Sequence, residues 1–350
     1  MNRKVKSLLF LLSFVILCAA FVSPTSAAGK GRGKEADLSA VELIPGGIPF
    51  GVKFTTEGVL IVGFCDIEQN GAKCNPAKEA GLRVRDVLTH INEQTVASAK
   101  DLTDKIALSQ GQPMQVRYTR AGVSHTATLC PIADAEGGYK TGLYVRDSGA
   151  GIGTVTFFKP DNLAFAGLGH GICDSDTGEL MPLQRGIVTD VTISGVHRGI
   201  AGTPGELRGY FGTGKCGKLL GNTDCGVFGL YAALPERLPR ETVKIATREQ
   251  VREGEASVLC TLLSNERKSY SVSLSAIDRD AKGSKCFTVR VTDPELLQET
   301  GGIVQGMSGS PIIQDGKLVG AVTHVLIGNP AVGYGIFVEN MLSQMGDLAA

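Results

Sequence analysis

From about Gly142 to Leu348 the chain is a succession of short, β-branched segments, among them Thr154–Phe158, Ile187–Ile193, Gly226–Tyr231, Ser257–Leu262, Phe287–Val291 and Leu318–Thr323. Turn residues punctuate them, as at Asp176-Thr177-Gly178 and Asp315-Gly316-Lys317. Convincing helical periodicity is scarce until Glu339–Gly346. Short strands at regular spacing restrict such a region to a sandwich or a barrel. Roughly 200 residues of this kind suit two small antiparallel barrels packed together. The 46 glycines and the absence of tryptophan agree with many tight turns and few large aromatics.

A different pattern precedes it, from about Val41 to Ile132. Strand-like pieces at Val41–Ile44, Gly51–Phe54, Val59–Phe64, Val87–Ile91, Met114–Thr119 and His125–Leu129 alternate with two helical stretches. Pro76–Ala80 has proline in its first turn. Ala99–Leu108 has Ser98 as its natural N-cap, and Leu102, Ile106 and Leu108 would give it an apolar side.

This order of short strands with two helices resembles a PDZ domain. The resemblance rests on Pro49-Phe50-Gly51-Val52, on Ala80-Gly81-Leu82, and on Asp86-Val87-Leu88 with Ile91-Asn92. It implies that the backbone of Pro49, Phe50, Gly51 and Val52 holds a peptide's terminal carboxylate. An extended peptide, C-terminal or internal, would then add as a strand near Gly51–Phe54, beside the second helix.

The N-terminus carries Arg3, Lys4 and Lys6, then an apolar run from Ser7 to Val22, then the small residues Ser23 to Ala28. Residues 1–28 read as a secretory signal or an uncleaved membrane anchor; the run is short of the about 20 residues a spanning helix needs, which favours export. Residues 29–40 are a polar, glycine-rich linker. The domain expectation is therefore a PDZ domain at 41–132 and a peptidase domain at 142–348. Lys+Arg and Asp+Glu are both 35, so no basic field points to nucleic acid. Eight cysteines lie beyond the apolar run and none forms a C-x-x-C pair, which argues against a zinc site; no metal or other cofactor is expected. Cys65–Cys74 is the best local disulfide candidate.

The chemistry concentrates in Gly306-Met307-Ser308-Gly309-Ser310-Pro311, which resembles the nucleophile loop of trypsin-like serine peptidases. Small residues let the chain turn so that the N–H groups of Gly306 and Ser308 aim at one oxyanion. Aligning the proline makes Ser308 the nucleophile and Ser310 the rival. A serine needs a nearby base. Of the five histidines, His90 and His125 fall in the first region, His197 reads as a solvated loop residue, and His324 as a strand residue beside the substrate. His170, in Gly169-His170-Gly171, has the order and separation expected of a base from the first barrel. Asp174, Asp190, Asp224, Asp278 and Asp293 are open candidates for the acidic partner; Asp293 could instead cap the turn into Pro294–Leu297.

Taken together, residues 40–345 resemble the SpoIVB peptidase family. The stretches that carry this are Leu143 to Ser148, Gly151 to Thr154, Leu168 to Ile172, Val291 to Pro294, Thr300 to Pro311 and Gly320 to Val325. The resemblance implies a mainly β protein, a PDZ domain followed by a trypsin-like double β-barrel. It implies Ser308 as nucleophile, His170 as base and Asp293 as acidic partner. It also implies an exported serine endopeptidase of sporulation signalling, which crosses the forespore inner membrane into the intermembrane space. There it would cut itself and a membrane-held regulator of an intramembrane protease, leading to sigma-factor processing. The alternative is a PDZ-based peptide-binding regulator whose peptidase-like domain is inactive.

Overall fold

The computed structural model describes residues 38–346 apart from position 70, so the expected export segment and most of the linker lie outside the described residues. Two six-stranded closed barrels and one smaller lobe make up the described chain. The first barrel runs Leu143–Phe158, Ala164–Gly167, Gly226–Tyr231, Glu206–Thr223, Leu183–His197 and Pro49–Phe64. Each strand is antiparallel to the next, and the last returns to the first. The second runs Gly254–Thr261, Arg267–Ser275, Phe287–Val291, Asn329–Phe337, Lys317–Leu326 and Pro311–Gln314.

Period-two alternation builds the first barrel. Along Pro49–Phe64, Val52, Phe54 and Thr56 are buried while Lys53, Thr55 and Glu57 are exposed. Phe50, Phe158, Phe165 and Tyr231 fill the interior with edge-on ring contacts: Phe50–Phe165 at 5.7 Å, and Tyr231 against Phe158 and Phe165 at 5.0 Å each. Burial of such a side chain contributes about 1.5–3 kcal/mol. A larger core joins the barrels, with Phe157, Ala166 and Phe228 from the first meeting Val289, Val322 and Ile336 from the second. The strand Glu42–Pro45 and its partner strand Val243–Lys244 stitch them further, the latter leading into Ala246, whose N–H donates to Leu318 O at 2.9 Å.

The third lobe is the PDZ-like one. Its strands Val87–Ile91, Met114–Arg120 and Val123–Leu129 continue the sheet from the second half of Pro49–Phe64, with Val59 opposite Leu88. The helix Ala99–Leu108 covers them, its first turn capped by Ser98 Oγ, which accepts from Asp101 N–H at 3.1 Å. Leu102 and Ile106 are buried in the lobe's core, but Leu108 is 81% exposed and does not extend the apolar side.

Two expectations need correction. The pieces Gly51–Phe54 and Val59–Phe64 are one strand shared by barrel and lobe, because Leu143–Phe158 pairs along its whole length. Pro49, Phe50, Gly51 and Val52 are therefore not a carboxylate-holding loop. They are an interior barrel segment, with Phe50 opposite Gly153 on one side and Asp190 on the other. Phe50 and Val52 are 0% and 2% exposed, and a Cβ on Gly51 would stand 2.4 Å from the Phe211 ring. With both strand edges paired and the side chains in the core, no peptide can add there. The second correction concerns sulfur: all eight described cysteines are free, Cys65 and Cys74 included.

Candidate active site

The nucleophile loop is held at both ends. The helix Pro294–Thr300 precedes it, opened by Asp293 and closed by Gly301 in the left-handed region. Gln305 N–H then donates to Gly205 O at 2.8 Å, and Gly306 takes φ +97. Gly309 takes φ +94, and a Cβ there would stand 2.0 Å from Thr154 O. This close approach lets the first barrel grip the loop from the second. Thr154 N–H donates to Ser308 O at 2.9 Å, Thr154 Oγ1 donates to Gly306 O at 2.8 Å, and Thr156 Oγ1 donates to Gly309 O at 2.8 Å. Reading the motifs alone missed Thr154 and Thr156. Their signal was two hydroxyls, two positions apart and so on one face, in an otherwise apolar strand.

Ser308 and His170 line one cavity of about 450 Å³, together with Gly306, Thr323 and His324. Neither Gly306 N–H nor Ser308 N–H donates to an acceptor among the described residues, so both remain available to a developing oxyanion. Ser308 Oγ donates to Thr323 O at 2.7 Å. Ser310, the rival, is fully buried, its hydroxyl without a partner and away from the cavity.

His170 follows a turn in which Leu168 and Gly169 take φ +65 and +69. Its Nδ1 lies 2.8 Å from Gly171 O. A carbonyl only accepts, so Nδ1 carries the proton and Nε2 keeps the lone pair, the tautomer a general base needs. Burial holds the His170 imidazole below its usual range, outweighing the Gly171 carbonyl. His324 stacks at a tilt beside it, ring centroids 4.8 Å apart. Burial, then the neighbouring His170 and Lys285, push His324 down to about 4. Its Nδ1 is buried without a partner. Both rings are neutral near pH 7.

The structure does not bring Asp293 to His170. Asp293 Oδ1 accepts from Glu295 N–H and Leu296 N–H at 3.0 and 3.1 Å, and Oδ2 accepts from Ser271 N–H at 3.2 Å. An oxygen set satisfied by a helix terminus and a strand edge orients the loop's approach, not the imidazole. The other aspartates do not line the cavity either. Asp174 is buried in the turn after His170, paired with Arg146 and accepting from Thr177 N–H at 2.9 Å. Burial pushes its carboxyl up, but the Thr177 hydrogen bonds and Arg146 outweigh this and hold it low. Asp190 and Asp224 are exposed, and Asp278 caps its own turn by accepting from Asp280 N–H at 3.0 Å. Among the described residues no group of histidines, cysteines and carboxylates has a metal-holding arrangement.

Comparison with known proteins gives two family matches. Residues 137–342 match the SpoIVB peptidase S55 family, and residues 51–130 match the PDZ domain. A search of the curated proteins returned no match. Among solved structures, the PDZ domain of an SdrC-like protein from Listeria monocytogenes is 19% identical, over 25% of this chain and 87% of that one, with a TM-score of 0.21. The active form of the Rv3671c protease from M. tuberculosis is 15% identical, over 57% of this chain and 75% of that one, at a TM-score of 0.33. The HtrA-type protease AlgW with a tripeptide is 14% identical, over 57% and 56%, at 0.34. Likenesses of this size carry no argument about the site.

Proposed function

The chain belongs to the SpoIVB peptidase S55 family and is a serine endopeptidase with a PDZ domain; from that premise we propose that Ser308 is its nucleophile and His170 its general base, without a carboxylate on the imidazole. The observation that supports this reading is one cavity at the meeting of the two barrels, which holds Ser308, Gly306 and a His170 whose Nδ1 proton is already committed to Gly171 O.

The reaction follows from those atoms. Ser308 Oγ leaves Thr323 O by rotation about its side-chain bond and presents its proton to His170 Nε2. As that proton transfers, Oγ bonds to the substrate carbonyl carbon. The oxygen that becomes negative is met by the N–H groups of Gly306 and Ser308, each worth about 3 kcal/mol in such sites. His170 returns the proton to the departing amine, leaving an ester on Ser308. Water, deprotonated by the same Nε2, then releases the acid and restores the serine. The Gly171 carbonyl fixes the tautomer and steadies the imidazolium less than a carboxylate does, so a modest turnover is expected.

We further propose that the substrate is protein held at a membrane surface. In this reading the enzyme is exported across the forespore inner membrane, cuts itself, and cuts a membrane-held regulator upstream of sigma-factor processing. The family supports this, as does the apolar run Ser7–Val22 with its basic lead. N-terminal sequencing of products from wild-type and Ser308→Ala protein tests it. New N-termini should appear in the chain and in the regulator with wild type only. Identical fragments from the variant would sink the assignment.

A further inference from the structure

A short hairpin follows His170. Met181 N–H donates to Ile172 O at 3.0 Å, Cys173 bridges Leu180, and Asp174 N–H donates to Glu179 O at 2.8 Å. Asn222 clasps its base: Oδ1 accepts from Ile172 N–H at 2.8 Å, and Nδ2 donates to Ile172 O and Met181 O at 2.9 Å each. Gly171, whose carbonyl accepts the His170 Nδ1 proton, lies directly against this hairpin. A Cβ on Gly171 would stand 2.3 Å from Leu180 Cδ1. The imidazole meets no carboxylate among the described residues, so its place depends on the backbone that the hairpin supports.

The tip of the hairpin is held from the PDZ-like lobe. The Asp174 side chain is 0% exposed. Its Oδ1 accepts from Thr177 N–H and Thr177 Oγ1 at 2.9 Å each and from Asp176 N–H at 3.1 Å. Its Oδ2 pairs with Arg146 Nη1, while Arg146 Nη2 donates to Asp176 Oδ2 at 2.7 Å. Arg146 stands opposite Leu60, on the part of Leu143–Phe158 that pairs with the lobe. A second arginine, Arg85, lies within the PDZ match. Its Nη2 donates to Thr177 O at 2.9 Å, and its Nε is 3.8 Å from Glu179 Oε2. Removing the cation from a buried carboxylate leaves an uncompensated charge, so the tip would have to open or Asp174 take up a proton.

We propose that Arg146 and Arg85 are positioning residues for the general base, so that the PDZ-like lobe sets the place of His170 by gripping the hairpin behind it. The inference rests on the assignment of His170 as base. The path is contiguous: arginine to Asp174 and Thr177, along the hairpin to Leu180, from Leu180 to Gly171, and from the Gly171 carbonyl to the imidazole. Proton transfer requires Nε2 within about 3 Å of the serine hydroxyl, and a misplacement of about 1 Å can cost 100-fold in rate. Arg146 carries the larger share, because it neutralises the buried Asp174, whereas Arg85 meets a carbonyl and the exposed Glu179.

A double-mutant cycle on the full chain tests this, read as the rate of fluorophosphonate labelling per folded molecule. With His170 present, Arg146→Met should slow labelling at least tenfold, Arg146→Lys should recover most of that loss, and Arg85→Gln should slow it about threefold. In peptide hydrolysis the Arg146→Met loss should fall on kcat, with KM within twofold of wild type. In the His170→Ala background the same arginine changes should alter labelling less than twofold, because the group they position is gone. Should Arg146→Met fail to fold, Arg146→Lys and the exposed Arg85→Gln complete the cycle. Equal losses in both backgrounds, or no loss from any arginine change, overturn the proposal. Full-rate labelling of His170→Ala alone would remove the base assignment, and the proposal with it.

Discussion

Two glycine-bearing segments invite the same reading, and the molecule treats them oppositely. Pro49-Phe50-Gly51-Val52 and Gly306-Met307-Ser308-Gly309 each suggest a backbone that presents N–H groups to a ligand. In the second, Gly306 and Gly309 take φ +97 and +94 and the loop opens on a cavity. In the first, no glycine has a left-handed φ; Gly51 is small because Thr189 from the adjacent strand and Phe211 from the strand beyond it crowd its position. A glycine can mark a turn or only a close approach, and the flanking alternation decides which. Val52, Phe54 and Thr56 point inward on a strand paired at both edges, whereas Ser308 interrupts any alternation.

Substitutions can break this comparison. Gly309→Ala should have the largest effect. Its Cβ would press on Thr154 O at 2.0 Å in a left-handed backbone, so the Ser308 loop must move, and we expect at least 100-fold loss of kcat/KM by peptide hydrolysis assay. Gly51→Ala should instead destabilise the first barrel by about 1–3 kcal/mol in urea unfolding, as overpacking does, with kcat per folded molecule within about threefold of wild type. If Gly51→Ala abolished peptide binding while leaving stability intact, the buried reading of that segment would be wrong.

Thr154→Val probes the grip between barrels more gently. It removes one hydrogen bond to Gly306 O and keeps the shape, which predicts about 1 kcal/mol of stability lost and roughly tenfold lower kcat. At Asp293, asparagine keeps a capping oxygen and alanine does not. Asp293→Asn should retain activity within a fewfold, and Asp293→Ala should cost about 1 kcal/mol of stability. A collapse of kcat in the asparagine variant, with stability unchanged, would restore a catalytic role to that carboxylate.

The pH profile follows from the histidines. His170 acts only when neutral and its proton affinity is depressed by burial, so kcat/KM should fall in acid with a midpoint below the ordinary histidine value. His324 works on stability in the same direction. Its folded pKa, about 4, lies below the unfolded value of 6.5. The contribution is therefore fully present above pH 6.5 and is lost as the pH falls from there through about 4. His324→Gln should flatten that part of the stability curve in thermal unfolding scans.

What the sequence made legible follows the same division. Alternation and turn residues foretold a β-rich chain, and the cap at Ser98 fixed the start of its helix. Chain order and the small-residue loop point to His170 and Ser308, and both side chains line one cavity. Pairing across the boundary was hidden, because strand partners are chosen by tertiary packing: Pro49–Phe64 and Leu143–Phe158 each serve two lobes. The threonine grip was hidden for the same reason, since Thr154 and Gly306 meet only when the barrels close. Asp293 was misleading because one residue type serves both as helix cap and as triad acid.

The central claim is that Ser308 reacts through an imidazole that no carboxylate among the described residues supports. A fluorophosphonate probe applied to wild type, Ser308→Ala and His170→Ala, with the adduct located by peptide mass mapping, tests it most directly. Wild type should carry one phosphonate on the peptide containing Ser308, Ser308→Ala should carry none, and His170→Ala should label at least 100-fold more slowly. Undiminished labelling of Ser308→Ala, or an adduct on Ser310, would contradict the account.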